Sequence, residues 1–233
     1  MTSIDRRFLP RWEVAGVEGA VVVIDVIRAF TTAAFAFGAG AAEIYLVATA
    51  DEALAFKAAH PGCIAMGEDS GRKPVGFDLP NSPVLASRAD LDGRTVVQRT
   101  SAGTQGVVAA SSATRLWAAG LATASATAAA VAASGLGDPT YVITGRFPDR
   151  ADSGEEDVLT ARFIEDVRLG LVVDPVAIAA AVLATDDARH TLLLGAEHVH
   201  PDDIERCVRI DHFDFAMEVE RTAQGLRLVP RAP

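Results

Sequence analysis

Residues 20–27 read Ala-Val-Val-Val-Ile-Asp-Val-Ile. A β-branched run with a single polar break suits a strand buried on both faces, the kind that lies in a sheet covered by helices on either side. The segments that follow alternate in the same sense. Residues 29–39 are rich in Ala and Phe and run into Gly38 and Gly40, which suits a helix and its C-terminus. Residues 43–47 (EIYLV) read as a strand, and 51–60 as a helix with Asp51 near its N-cap and Pro61-Gly62 ending it. Strands are expected at 63–66, 95–99, 115–118 and 140–144, and helices at 104–111, 122–133, 155–169 and 175–185. In the tail, Phe213, Phe215, Met217 and Val219 alternate with polar or small residues, and Leu226 and Leu228 follow Gln224-Gly225. That is strand periodicity around a turn, so a C-terminal antiparallel hairpin is expected. Strands alternating with helices give an α/β layered fold, and the hairpin makes its sheet mixed. No linker or repeat divides residues 1–233, which read as one domain.

The chain is half hydrophobic and carries a formal net charge of −10. No Lys/Arg run forms the basic face of a nucleic-acid binder, and the same deficit argues against membrane-surface binding. A few local cations or a metal still suffice to make an acidic protein's cleft attractive to anions. Cys63 and Cys207 are far apart and form no CxxC pair, as expected of reduced thiols in the cytoplasm. Residues 1–11 contain no apolar core of a signal peptide, and no apolar stretch reads as a membrane span.

Open α/β sheets bind ligands beyond the carboxyl ends of their strands, and four polar segments stand there. Asp25 and Arg28 end the first strand. They read either as an internal ion pair or as a metal carboxylate beside an anion-binding Arg. Residues 67–83 form a long loop that opens with Gly67-Glu68-Asp69-Ser70-Gly71-Arg72-Lys73, and Asp78, Asn81 and Ser82 in it also suit turn caps. Thr100, Ser101, Gly103 and Thr104 lie between a strand and a helix, where hydroxyls and backbone N–H groups either hold an anion or cap the helix. Gly145-Arg146 opens a polar loop that leads to Glu155-Glu156-Asp157, acids suited to a helix N-terminus or to magnesium. Glu197-His198-Val199-His200 lacks zinc-protease spacing and reads as a surface loop.

In order along the chain, these segments resemble the 2-phosphosulfolactate phosphatase family. The resemblance rests on Val23-Ile24-Asp25-Val26-Ile27-Arg28-Ala29, on Gly67-Glu68, on Gly76-Phe77-Asp78-Leu79-Pro80-Asn81-Ser82-Pro83, on residues 100–104, on Glu155-Glu156-Asp157, and on Asp203-Ile204-Glu205-Arg206-Cys207 with Asp211-His212-Phe213-Asp214. It implies a three-layer α/β/α fold with a mixed, mostly parallel sheet. It also implies a Mg²⁺-dependent phosphatase acting on a small phosphorylated 2-hydroxy acid, 2-phosphosulfolactate of coenzyme M biosynthesis being the name-giving case. Resemblance and chemistry together assign Asp25, Glu68 and Asp157 to Mg²⁺ or its waters. Whichever of Glu68 and Asp157 is not a ligand becomes the general base. Arg28 with Thr100, Ser101, Gly103 and Thr104 is assigned to the phosphate, and Arg72 or Arg146 to the substrate's carboxylate or sulfonate. The chain departs from the family pattern at Asp69-Ser70, where Arg-Gly is usual, and at Ala102, where Asn is usual. These departures motivate a second reading, a family member that binds a small anion without turnover. Alanine-rich helices are compatible with a homodimer.

Overall fold

The structure, a computed structural model, describes residues 7–150 and 153–232. Its strands are β1 Phe8–Pro10, β2 Ala20–Ile24, β3 Glu43–Leu46, β4 Ile64–Gly67, β5 Leu79–Pro80, β6 Thr95–Arg99, β7 Arg115–Ala119, β8 Thr140–Ile143, β9 Ala216–Thr222 and β10 Gly225–Arg231. Its helices are α1 Ala29–Gly38, α2 Ala50–Ala59, α3 Pro83–Ala86, α4 Gly103–Ala109, α5 Ala124–Ala133, α6 Glu155–Arg168, α7 Pro175–Leu183, α8 Asp186–Leu192 and α9 Asp203–Cys207.

The strands form one sheet in the order β1-β8-β2-β7-β9-β10-β3-β6-β4-β5. β2 shows why both faces are covered. Val21 and Val23 pack under α1 and α4, while Ala20, Val22 and Ile24 pack under α5 and α6. Farther along the sheet, Tyr45, Ala65 and Val97 lie under Ala53 of α2. The expected three-layer α/β/α arrangement is therefore present. On the face carrying α2 and α5, the hairpin is ionic: Arg227 bridges Glu43 and Glu220, and Arg115 pairs with Glu218.

The hairpin β9–β10 is not an appendage at the sheet's edge. It joins two parallel blocks, β1-β8-β2-β7 and β3-β6-β4-β5, through three antiparallel junctions. The blocks therefore run nominally in opposite senses. Sheet twist of roughly 20–25° per strand pair accumulates to about 100–125° between β2 and β6. That rotation brings the carboxyl ends of the two blocks toward one another. The space for a Cβ on Gly103, just after β6, is indeed filled by Asp25 Oδ2 at 2.7 Å, just after β2.

Several boundaries differ from expectation. β2 stops at Ile24 rather than Ile27, because the Asp25 carboxylate turns the chain by accepting the Ala29 N–H at 2.9 Å. α2 is capped by Thr49, not Asp51, in a reciprocal box with Glu52. Phe213 and Phe215 precede β9 and pack edge-on against Phe35 and Phe37 of α1. α8 and α9, together with the short β1, β5 and α3, were not expected. Part of the 1–11 reading and part of the 145–154 loop lie outside the described residues. Among the described residues, no helix is long and apolar enough to cross a membrane.

Candidate active site

A cavity of about 350 Å³ opens where the strand ends converge. Asp25 and Arg28 enter it from β2, Glu68 from β4, and Ser101 and Ala102 from β6. Gly145, Phe147 and Arg150 follow β8, Glu156 and Asp157 start α6, and Asp187, His190 and Thr191 of α8, with Leu194 just beyond it, close the opposite side. Asn81 completes the wall.

The acidic wall is buried and held by backbone N–H groups. Asp157 Oδ1 accepts Val26 N–H at 3.0 Å, and its Oδ2 accepts Gly145 N–H at 2.8 Å and Thr144 Oγ1–H at 3.3 Å. Glu68 Oε1 accepts Ser101 N–H at 2.5 Å, while Oε2 accepts Gly71 N–H at 2.5 Å and Ser101 Oγ–H at 3.1 Å. Burial, opposed by the Ala29 N–H and reinforced by the Glu68 charge, pushes the Asp25 carboxyl up to about 6. Burial, and then the Asp25 charge, holds Asp157 well above the usual carboxylate range. Glu156 is raised likewise, by burial and then by Asp157 and Asp187, and its Oε2 has no hydrogen-bond partner among the described residues.

Carboxylates buried side by side are costly unless a proton or cation neutralises them. The donor set is all oxygen, which fits a hard divalent cation such as Mg²⁺. Among the described residues, no group of three or more His, Cys, Asp or Glu side chains is placed to hold a metal ion directly. The wall suits an ion that keeps several of its waters, as Mg²⁺ does.

Arg28 is the cavity's buried cation. It does not pair with Asp25. Its Nη1 donates to Asp203 Oδ2 at 3.1 Å and to the His198 carbonyl at 3.1 Å. Its Nε and Nη2 make no hydrogen bond among the described residues, and Arg28 lines the cavity. Of the segment from Glu197 to His200, read from sequence as a surface loop, Glu197 is exposed, but His198, Val199 and His200 are half-buried or buried and frame Arg28. The motif Asp203–Cys207 drew attention to Asp203 in the sequence, but nothing local pairs it with Arg28, which lies 175 residues away.

A sequence profile described as 2-phosphosulpholactate phosphatase matches residues 11–222. The chain belongs to this family. It is 32% identical over 204 residues to a probable 2-phosphosulfolactate phosphatase of Bacillus subtilis, covering 87% of this chain and 88% of that protein. A protein of the same description from Thermus thermophilus is 33% identical over 186 residues, covering 79% of this chain and 72% of that one. One from Thermoplasma acidophilum is 30% identical over 199 residues, covering 84% of each.

Of the residues the family resemblance pointed to, Asp25, Arg28, Glu68, Ser101 and Asp157 meet in the cavity. Thr100 and Thr104 do not line it. Their hydroxyls and N–H groups close the turn between β6 and α4 on one another, at 2.9 and 3.0 Å. Gly103 is buried against Asp25 and lowers its proton affinity through a backbone N–H. Arg72 is exposed and outside the cavity, its backbone paired with that of Asp69. Arg146 is also outside it, and its carbonyl accepts Arg11 Nη1–H at 2.9 Å. The second arginine at the cavity, beside Arg28, is instead Arg150, bonded to Asp187. At the family departures, Asp69 pairs with Arg99 at 3.1 Å and Ser70 adopts the left-handed conformation (φ 53°) that suits glycine. Ala102 leaves an apolar patch in the cavity wall.

Proposed function

We propose that this family member is a Mg²⁺-dependent phosphatase for a small phosphate monoester of a 2-hydroxy acid, 2-phosphosulfolactate or a close relative. The observation that carries this reading is one small cavity holding both a buried arginine with unused N–H groups and a wall of buried carboxylates. Phosphoryl transfer needs those two things: donors for the equatorial oxygens, and carboxylates for a cation and for proton transfer. The names of the relatives support the substrate class.

In this reading Arg28 binds the phosphoryl group, with Asn81 and the Ser101 region beside it. Asp25 and Glu68 hold Mg²⁺ or its waters, and Asp157 joins them when it is not the base. When bound, the ion neutralises phosphoryl oxygens and supports an in-line attack by water. Asp157, whose burial raises its proton affinity, accepts the proton of the attacking water. Arg150, Phe147 and Leu194 face the organic end of the substrate. Cys63 and Cys207 are both free and buried, which supports a reducing, cytoplasmic setting.

The test is phosphate release from phosphorylated 2-hydroxy acids and sugar phosphates, with Mg²⁺ and with chelator. Release that requires metal and is greatest with the hydroxy-acid esters is expected. A folded protein that releases no phosphate from any ester overturns the reading.

A further inference from the structure

We infer that Asp203 is a positioning residue of the anion site: it fixes Arg28, and through Ser82 the adjacent Asn81, so that their polar groups face the cavity. The inference rests on the phosphatase reading only in taking the cavity to receive a phosphoryl group. Asp203 is fully buried, and both its oxygens are saturated from four directions. Oδ1 accepts Ser82 Oγ–H at 2.6 Å and Val84 N–H at 3.2 Å, while Oδ2 accepts His200 N–H at 2.9 Å and Arg28 Nη1–H at 3.1 Å. A carboxylate so anchored is a fixed post rather than a flexible counter-ion.

The form of its contact with Arg28 matters. Arginine and carboxylate frequently meet fork to fork, using two nitrogens. Here Asp203 and the His198 carbonyl take Nη1 alone. Nε and Nη2 have no partner among the described residues, and they are not among the fully occluded unpartnered polar atoms. That edge of the guanidinium is therefore open to the cavity, where its planar donors match two phosphoryl oxygens. Ser82, whose hydroxyl is on Asp203, also accepts Leu85 N–H at 3.2 Å and starts α3. It thereby fixes Asn81 in the same wall: its Oδ1 is occluded and unpartnered among the described residues, whereas its Nδ2 is not occluded and makes no hydrogen bond among them.

The experiment measures three quantities for wild type, Asp203→Asn and Arg28→Lys: inorganic-phosphate affinity by calorimetric titration with Mg²⁺, KM and kcat on the best ester, and the thermal midpoint. Asp203→Asn should weaken phosphate binding at least tenfold and raise KM by a similar factor, with a smaller fall in kcat. In the Arg28→Lys background it should add little, since both act through one contact. A purely structural role would lower the thermal midpoint or the active fraction and leave phosphate affinity and KM unchanged, which overturns the inference. If the Asn variant does not fold, Asp203→Glu keeps the charge but displaces it, and unchanged phosphate affinity there also overturns it. Wild type that binds phosphate but hydrolyses no ester sinks the phosphatase reading alone, and the role of Asp203 is still decided by phosphate affinity. Wild type that binds no phosphate overturns both.

Discussion

At Asp25 two demands fall on one side chain. Its Oδ1 accepts the Ala29 N–H to turn β2 into α1, and the proposed mechanism asks the same carboxylate to stand ionised in a cavity where burial pushes it up to about 6. Asp25→Asn keeps the oxygen that accepts Ala29 N–H and removes the charge. It is expected to abolish metal-dependent turnover while moving the thermal midpoint by only a few degrees, because a lost contact with Gly103 N–H is offset by relieved repulsion from Glu68. Wild-type turnover in that variant would remove Asp25 from the mechanism. Gly103→Ala tests the same junction sterically. Its Cβ would lie 2.7 Å from Asp25 Oδ2 and 2.8 Å from Ala29 Cβ. Overpacking of that kind costs about 1–3 kcal/mol, and a tenfold or larger loss of kcat should accompany the lowered midpoint. Asp25, Glu68 and Asp157 were legible in the sequence because each is a carboxylate next to an apolar run or at a helix start. Asn81 and Asp203 stood in the family-like motifs with no site role attached, since their significance comes from partners brought close only by the fold.

Elements were legible wherever local chemistry sufficed. β2, β3, β6, β7 and β8 are apolar runs in the sequence and buried strands in the structure. β5 has two residues and β1 ends in Pro10, so neither carries a periodicity that could be read. α2 shows how a boundary depends on one hydroxyl: Thr49 accepts Glu52 N–H at 3.1 Å, and Glu52 Oε2 accepts Thr49 N–H at 3.1 Å. Asp51, the acid that drew attention in the sequence, sits within the first turn, where it favours the helix dipole without capping. Loss of such a cap costs about 1 kcal/mol. Thr49→Ala should therefore lower the thermal midpoint by roughly 2–4 °C for a chain of this size. Because α2 contributes nothing to the cavity wall, kcat and KM should stay at wild-type values. A change in either would mean that α2 is coupled to the site through β3 or β6.

At the scale of the whole molecule, the hairpin was legible but its place was not. The alternation of Met217 and Val219 shows one buried face, whereas the pairing of β9 with β7 and of β10 with β3 is a choice among strand edges that no local pattern encodes. That choice turns two parallel blocks toward a common acidic cavity, and the buried carboxyls of the cavity contribute a pH response of one sign, which His212, held below the ordinary imidazole range by burial and by Arg209 and Arg206, opposes in part. Asp25, Asp157 and Glu156 all have folded-state proton affinities raised above those of an unfolded carboxylate, burial being the first cause in each. Between about pH 4, where unfolded carboxylates titrate, and the folded values, the native state binds more protons than the unfolded state. Stability contributed by these groups must therefore fall as pH rises, from Asp25 up to about pH 6 and from Asp157 and Glu156 up to their own raised values. The slope is at most about 1.4 kcal/mol per pH unit for each proton. Glu165 works in the opposite sense. Arg168 lowers its proton affinity, so its contribution is lost only in acid and does not mask the trend above pH 5. A cation that binds the ionised wall competes with those protons, and its stabilisation grows as they leave. The thermal midpoint of chelator-treated protein should fall from pH 5 to pH 8, and the gain on adding Mg²⁺ should increase over the same range and shrink in Asp25→Asn. A midpoint indifferent to Mg²⁺ at every pH would mean that the wall is neutralised by shared protons alone, and the cation would leave the proposed mechanism.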